Sequence, residues 1–238
     1  MAHFYNRQIN FWTTLSCILL MLSMTGCVDL SAAKYRPKKK VAHYNYLSDK
    51  KITRYKHPKP YRGEVHTMLG GLGVFSTGMK ELSSSVVEEC NIPAPSSMWY
   101  NAGRVSRKVI ASYYKNHRPI ILVGHSLGAN EQIKVARNLD KVGIPVDLLI
   151  TVDAVSQTWV PANVKHVMNF YKSGYVPMFS GLRLKAVNPE KTRLDNINVD
   201  TLKNVKVNHF TIDKEPVVQA MMMDEIKKVT YDAHRAKS

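Results

Sequence analysis

From about residue 65 onward the chain switches repeatedly between two hydrophobic patterns. The unbroken apolar run 119–123, the mainly apolar segments 65–69 and 146–152, and the alternating run 164–171 have the length of strands and are mostly bounded by Pro, Gly or polar residues. Between and after them, apolar residues return at the helical period. Met79, Leu82 and Val86 share one face, with Ser76 or Thr77 placed to cap the helix, and Val105 and Val109 share another within 102–115. Ala129, Ile133, Ala136 and Leu139 or Val142 mark a helix over 128–141, closed by Gly143, and Val218, Met221, Met222 and Ile226 mark a last one beginning at Pro216. Strands that alternate with helices predict one α/β domain, a mostly parallel sheet flanked by helices. The stretch between Tyr171 and Val205, with Gly174, Pro177, Gly181 and Pro189, reads as irregular, and Val205-Lys206-Val207 as a short strand.

Before residue 65 the pattern is different. Residues 11–24 are an apolar run of signal-peptide length, too short for a comfortable spanning helix, and they end in Met24-Thr25-Gly26-Cys27. That ending resembles the lipobox of bacterial lipoproteins, with Met24 where leucine is usual. The resemblance implies a signal peptide over 1–26, lipidation of Cys27, and a place in the bacterial cell envelope, at the outer membrane if the cell is Gram-negative; an uncleaved membrane anchor and an ordinary secreted protein are the alternatives. The next segment, 27–63, is a basic, extended tether: from Lys34 to Lys59 ten Lys and Arg face the single acid Asp49, a large share of the chain's +16 formal charge. It lacks the aromatic interleaving or Cys/His spacing of a nucleic-acid module, so no nucleic acid is expected as a partner. Attraction to anionic head groups, roughly 1 kcal/mol per basic residue near the surface, and mere solubility are both open readings. With Cys17 in the signal and Cys27 lipidated, Cys90 is left alone, a structural thiol with no disulfide partner.

Candidate chemistry concentrates in the third domain segment, 64–238. The run 119–123 leads into Gly124-His125-Ser126-Leu127-Gly128 and then a helix. A serine on a tight strand-to-helix turn needs small neighbours two positions to either side, which is the G-x-S-x-G spacing. Such a nucleophile requires a base, a group that orients the base, and oxyanion donors. Asp153 ends the run 146–152, where catalytic groups of parallel sheets collect. Asp195, Asp200 and Asp213 lie in polar, loop-like segments and read as surface carboxylates. Of the histidines that follow, His166 falls inside a strand, His234 is near the C-terminus, and His209 occupies a loop before the last helix. The oxyanion donors are expected to be the backbone amides of Leu127 and of Leu72, in the glycine cluster Gly70-Gly71-Leu72-Gly73 after the first strand.

With these residues in place, the chain resembles the α/β-hydrolase superfamily, and within it small bacterial lipase-like or thioesterase-like proteins. The resemblance covers 64–229 and rests on 71–79, the elbow around Ser126, 160–164 and 208–214. It implies a single-domain α/β-hydrolase fold, a Ser126, Asp153, His209 triad, no metal and no organic cofactor. The implied activity is cleavage of an ester or thioester through an acyl-enzyme on Ser126, with a small acyl ester or a lipid as substrate. An envelope acyltransferase or lipid-remodelling enzyme, and a non-catalytic binding lipoprotein, remain alternatives on the same fold. Tyr175, Val176, Met178, Phe179 and Leu182 either line an acyl pocket or simply cover the sheet. A base that must be neutral to accept a proton predicts activity that falls on acidification.

Overall fold

The computed structural model describes residues 61–71, 73–156, 159–174 and 180–235. The expected signal segment 1–26, Cys27 and the tether up to residue 60 lie outside the described residues, as do Leu72, Tyr175, Val176, Met178 and Phe179. The chain is already packed at Tyr61: its ring meets Tyr231 edge-on at 6.1 Å, and the Arg62 amide donates to the Thr230 carbonyl at 3.0 Å.

Among the described residues, eight strands and four α-helices follow. In chain order they are β1 (Glu64–Leu69), α1 (Thr77–Cys90), β2 (Ser96–Met98), α2 (Ala102–Lys115), β3 (Ile120–His125), α3 (Leu127–Asp140), β4 (Val146–Val152), β5 (Trp159–Val160), β6 (Val164–Tyr171), β7 (Lys185–Ala186), β8 (Arg193–Asn198) and α4 (Pro216–Arg235). Six strands form one sheet in the order β2-β1-β3-β4-β6-β8, every pairing parallel, and β5 pairs with β7 in a small second ladder. This is the expected α/β architecture.

Side chains on a strand alternate between faces, so an apolar run on a central strand supplies two cores at once. Ile120 and Leu122 of β3 join Val105 and Val109 of α2 and Ile133, Ala136 and Leu139 of α3 on one face. Ile121 and Val123 join Met79, Leu82 and Val86 of α1 and Val218, Met222 and Ile226 of α4 on the other. Cys90, the last residue of α1, is fully buried in this second core. Gly143 ends the α3 turn at a φ of +73°, a conformation that suits glycine.

The segment 171–205 departs from its irregular reading, because β8 extends the sheet there. β8 is the polar sequence Arg-Leu-Asp-Asn-Ile-Asn at the sheet edge, so no apolar run announces it. Buried amides hold it instead. Asn169 accepts from Thr151 Oγ1 at 2.7 Å and donates to Asn196 Oδ1 at 2.8 Å and the Leu182 carbonyl at 2.9 Å, which ties β4, β6, β8 and the incoming loop together. Conversely, 205–207 is not a strand but a loop.

Two of the carboxylates read as loop or surface groups are built into the structure. Asp195 lies on β8, where it meets Nε2 of His166 at 2.8 Å, while Glu225 meets Nδ1 at 3.1 Å. Asp213 is fully buried, and its Oδ2 accepts from the Gly78 amide at 3.0 Å, at the first turn of α1. Burial pushes the Asp213 carboxyl up to about 6, against the opposing pull of Lys214 and the Gly78 amide. A carboxyl whose folded value lies above its unfolded one stabilises the fold fully below the unfolded value, near 4, and that contribution is lost as the pH rises through about 6. Asp213→Asn keeps an acceptor for Gly78 and is neutral throughout. We expect it to be more stable than the natural chain at pH 8 by up to about 3 kcal/mol and to show no such gain at pH 4. Urea melts of both proteins at the two pH values check this. A natural chain that gains on the Asn variant as pH rises would reverse the sign.

Candidate active site

In a doubly wound parallel sheet, consecutive crossovers lead to opposite sides of the first strand, and the carboxyl ends there are left uncovered. Here β1 is followed by β2 on one side and β3 on the other, so the opening falls between the carboxyl ends of β1 and β3. The glycine cluster after β1 and the serine after β3 both lie at that point.

Ser126 links β3 to α3 with φ +57° and ψ −123°, a strained conformation for a residue with a side chain. Its amide donates to the Val152 carbonyl at the end of β4, at 2.9 Å. The turn is possible because its neighbours have no Cβ. A Cβ on Gly124 would lie 2.4 Å from the Gly128 carbonyl oxygen, and one on Gly128 would lie 2.3 Å from that of Met68. The same holds across the opening: a Cβ on Gly70 would lie 2.5 Å from the His125 carbonyl oxygen and 2.8 Å from the Ser126 Cβ. Three glycines thus let the β1 loop, the elbow and α3 close on one another around Ser126, which keeps 9% of its surface exposed.

Asp153 follows β4 at φ +52°, in the left-handed region that Asp and Asn tolerate better than most residues. Its amide is held by the Phe170 carbonyl at 2.8 Å, and the carboxylate is fully buried. Oδ1 accepts from the Lys172 amide at 2.7 Å, which leaves Oδ2 to meet Nδ1 of His209 at 2.8 Å. Gly181 packs so closely that a Cβ there would lie 2.0 Å from Oδ1. His209 lies in the turn before α4, and its Nε2 is 2.9 Å from Ser126 Oγ. The three side chains chosen from the sequence therefore form one hydrogen-bonded line, serine to imidazole to carboxylate. His166 is not part of it, since it is bound to Asp195 and Glu225. His234 is on the last turn of α4, where the side chains are not among those described.

Leu127 is the first residue of α3, so its amide stands at a helix N-terminus, where N–H groups lack intrahelical acceptors. A Cβ on Gly70 would lie 3.2 Å from that amide nitrogen. Leu72, expected as the second oxyanion donor, lies outside the described residues. Its flanks are anchored: Trp99 Nε1–H donates to the Gly71 carbonyl at 2.7 Å, and the Gly73 amide donates to the Gly70 carbonyl at 2.9 Å.

Two polar groups next to the site carry a connection that the sequence does not announce. Ser76 is the N-cap of α1 but makes no side-chain cap bond. Its buried hydroxyl accepts from the Gly70 amide at 3.0 Å and meets His125 Nδ1 at 2.8 Å. The other ring nitrogen of His125 is 2.8 Å from the carbonyl oxygen of His209. Burial lowers the His125 imidazole to about 3, against the opposing hydrogen bond to the His209 carbonyl, so the ring is neutral where the protein is folded. A neutral ring with a carbonyl at Nε2 must place its proton there and accept the Ser76 hydroxyl at Nδ1.

No family model matches the chain, and no curated protein sequence matches it. Among solved structures, a candidate hydrolase of the alpha/beta superfamily from Xanthomonas campestris pv. campestris superposes with a TM-score of 0.38 at 12% identity, over 74% of this chain and 99% of that one. A likeness of that size leaves the chemistry to the side chains themselves.

The rim of the opening is apolar. Val74, Phe75 and Phe210 are 62%, 51% and 38% exposed, on the two loops that flank Ser126. The rings of Phe75 and Phe210 lie 5.0 Å apart, and Phe210 meets His209 edge-on at 5.4 Å.

Proposed function

We propose that the protein is a serine hydrolase that cleaves an ester or thioester through an acyl-enzyme on Ser126. The observation that carries this reading is the continuous line from Ser126 Oγ to His209 Nε2 at 2.9 Å and from His209 Nδ1 to Asp153 Oδ2 at 2.8 Å, on a strained turn at the open end of the sheet. Strain and buried polar contacts of this kind cost stability and persist where the surroundings over-determine them, which is the usual situation at reacting centres.

The chemistry follows from the proton positions. Asp153 accepts the Nδ1–H of neutral His209, so Nε2 carries a lone pair aimed at the Ser126 hydroxyl. As Oγ bonds to the substrate carbonyl carbon, its proton passes to Nε2 and the carbonyl oxygen takes the negative charge. The Leu127 amide, with the Leu72 amide as its proposed partner, stabilises that charge. Collapse breaks the bond to the leaving oxygen or sulfur, which takes the proton from Nε2. Water then repeats the sequence and releases the acid. Transfer to another acceptor would use the same acyl-enzyme.

The exposed aromatic pair beside His209 favours a substrate with an apolar acyl or alcohol portion. The sequence of 1–60 supports a place at the envelope, held through Cys27 and the basic tether.

The experiment is covalent labelling with a fluorophosphonate followed by peptide mass analysis. The natural chain is expected to carry one phosphonyl group, on Ser126, and Ser126→Ala none. Labelling that is absent, or that survives in Ser126→Ala, would overturn the reading.

A further inference from the structure

We infer that Ser76 and His125 are positioning residues that lock the catalytic histidine to the β1 loop packed against Ser126, through a buried chain from the Gly70 amide to the Ser76 hydroxyl, the His125 imidazole and the His209 carbonyl. The inference rests on the reading of Ser126 as nucleophile and His209 as base.

The geometry follows from the fold. His125 is the last residue of β3 and, by strand alternation, points to the same face as Val123 and Ile121, toward α1 and the loop before α4. Ser126, one residue on, turns the other way through its strained φ and faces the opening. The two adjacent residues therefore address the same histidine from different sides: Ser126 reaches its Nε2, and His125 reaches its main-chain carbonyl. The imidazole rings lie 5.1 Å apart at 38°.

Each link is directional and out of water. Ser76 and His125 are each 1% exposed, so bulk solvent does not replace a lost partner. The Gly70 amide donates to Ser76 Oγ, the Ser76 hydroxyl donates to Nδ1, and Nε2–H donates to the His209 carbonyl. All the roles fit one tautomer of a neutral ring. Hydrogen bonds in a buried chain also reinforce one another.

The functional consequence concerns two things that must be correct together. The base must stay within reach of Ser126 Oγ, and Gly70 must stay packed against Ser126 and the Leu127 amide. These groups come from segments more than 130 residues apart along the chain, on the loops after β1 and β8. The loop after β8 has no strand to fix it, and Asp153 fixes only the far side of the His209 ring. The chain through His125 fixes its backbone relative to Gly70. A small misplacement of a reacting group is enough to cost on the order of 100-fold in rate.

The test compares Ser76→Ala, His125→Leu and His125→Gln with the natural chain in hydrolysis of p-nitrophenyl butyrate, with melting temperatures and fluorophosphonate labelling of each. His125→Leu is expected to lower kcat by about 10- to 100-fold with little change in KM. His125→Gln places an amide N–H near the position of Nε2 and is expected to recover most of that loss. Ser76→Ala, which removes the links to Gly70 and to His125 together, should fall between the two. Unchanged kcat in a folded His125→Leu, or a Gln variant as impaired as the Leu variant, overturns the inference. If His125→Leu does not fold, Ser76→Ala decides it: kcat at the natural level in that variant overturns the inference. A natural chain that fails to label at Ser126 overturns the parent reading and this one with it, whereas normal labelling with unaffected variants overturns this one alone.

Discussion

Asp153→Asn is expected to fold normally and to lose about 1,000- to 10,000-fold in kcat. The reason lies in which atoms of the carboxylate are engaged. Oδ1 accepts from the Lys172 amide at 2.7 Å, a bond that the carbonyl oxygen of asparagine can keep. The amide group then occupies the place of Oδ2 and presents N–H to His209 Nδ1, 2.8 Å away. Two donors cannot share that contact, so His209 must accept at Nδ1 and hold its proton on Nε2. In that tautomer it faces the Ser126 hydroxyl with a hydrogen and cannot remove the serine proton. The φ of +52° at this position suits Asn as well as Asp, and Gly181 leaves the same room for either, so stability should change little. Steady-state kinetics on an aryl ester alongside a thermal melt checks both halves. Less than tenfold loss of kcat in a folded variant would mean that Asp153 does not orient the base.

The largest effect on stability is expected from Gly128→Ala. The new Cβ would lie 2.3 Å from the Met68 carbonyl oxygen and 2.8 Å from its carbon, and both are main-chain atoms of β1. β1 cannot yield, because it is paired to β2 and β3 on either side, with Met68 opposite Ser97 and Gly124. Relief requires α3 to lift from the sheet, which would pull it from a core that includes Ile133, Ala136 and Leu139. A loss of about 3 kcal/mol or more is expected, or roughly 6–12 °C in melting temperature. Gly103→Ala is the matched control. Its Cβ would meet only Arg107 Nη1, at 3.7 Å, within α2, so the same chemical change should stabilise slightly, by about 0.4–1 kcal/mol. Equal melting temperatures for the two variants would show that close packing of α3 on β1 is not what selects glycine at 128.

The sequence by itself determined the elements whose signal is local. A largely apolar run on a central strand reports its own burial on both faces, so β3 and β4 were legible, β1 and β6 from their shorter or alternating apolar patterns, and the helices that pack on them from their period. The elbow was legible because its G-x-S-x-G spacing is local, and Gly124 answers to the Gly128 carbonyl four residues on, whereas the atoms that select glycine at 128 belong to Met68 of β1. Chain order and the end of β4 were enough to single out Asp153, while His209 was reached by chain order and elimination, since the strand read before it at 205–207 is a loop. What only the tertiary structure decided is which distant polar groups come within hydrogen-bond reach. β8 lacks an apolar run because it is an edge strand held by Asn169 and Asn196, and those amides mean nothing until the strands are side by side. Asp213 looked like a surface carboxylate because its burial is created by the first turn of α1, 135 residues away. Ser76 carried the pattern of a helix cap, and its hydroxyl is spent elsewhere because His125 and the Gly70 amide lie closer to it. Hydrophobic periodicity is written along the chain because each residue partitions by its own side chain, whereas a hydrogen bond is a property of two residues and is fixed only when the fold sets the distance between them.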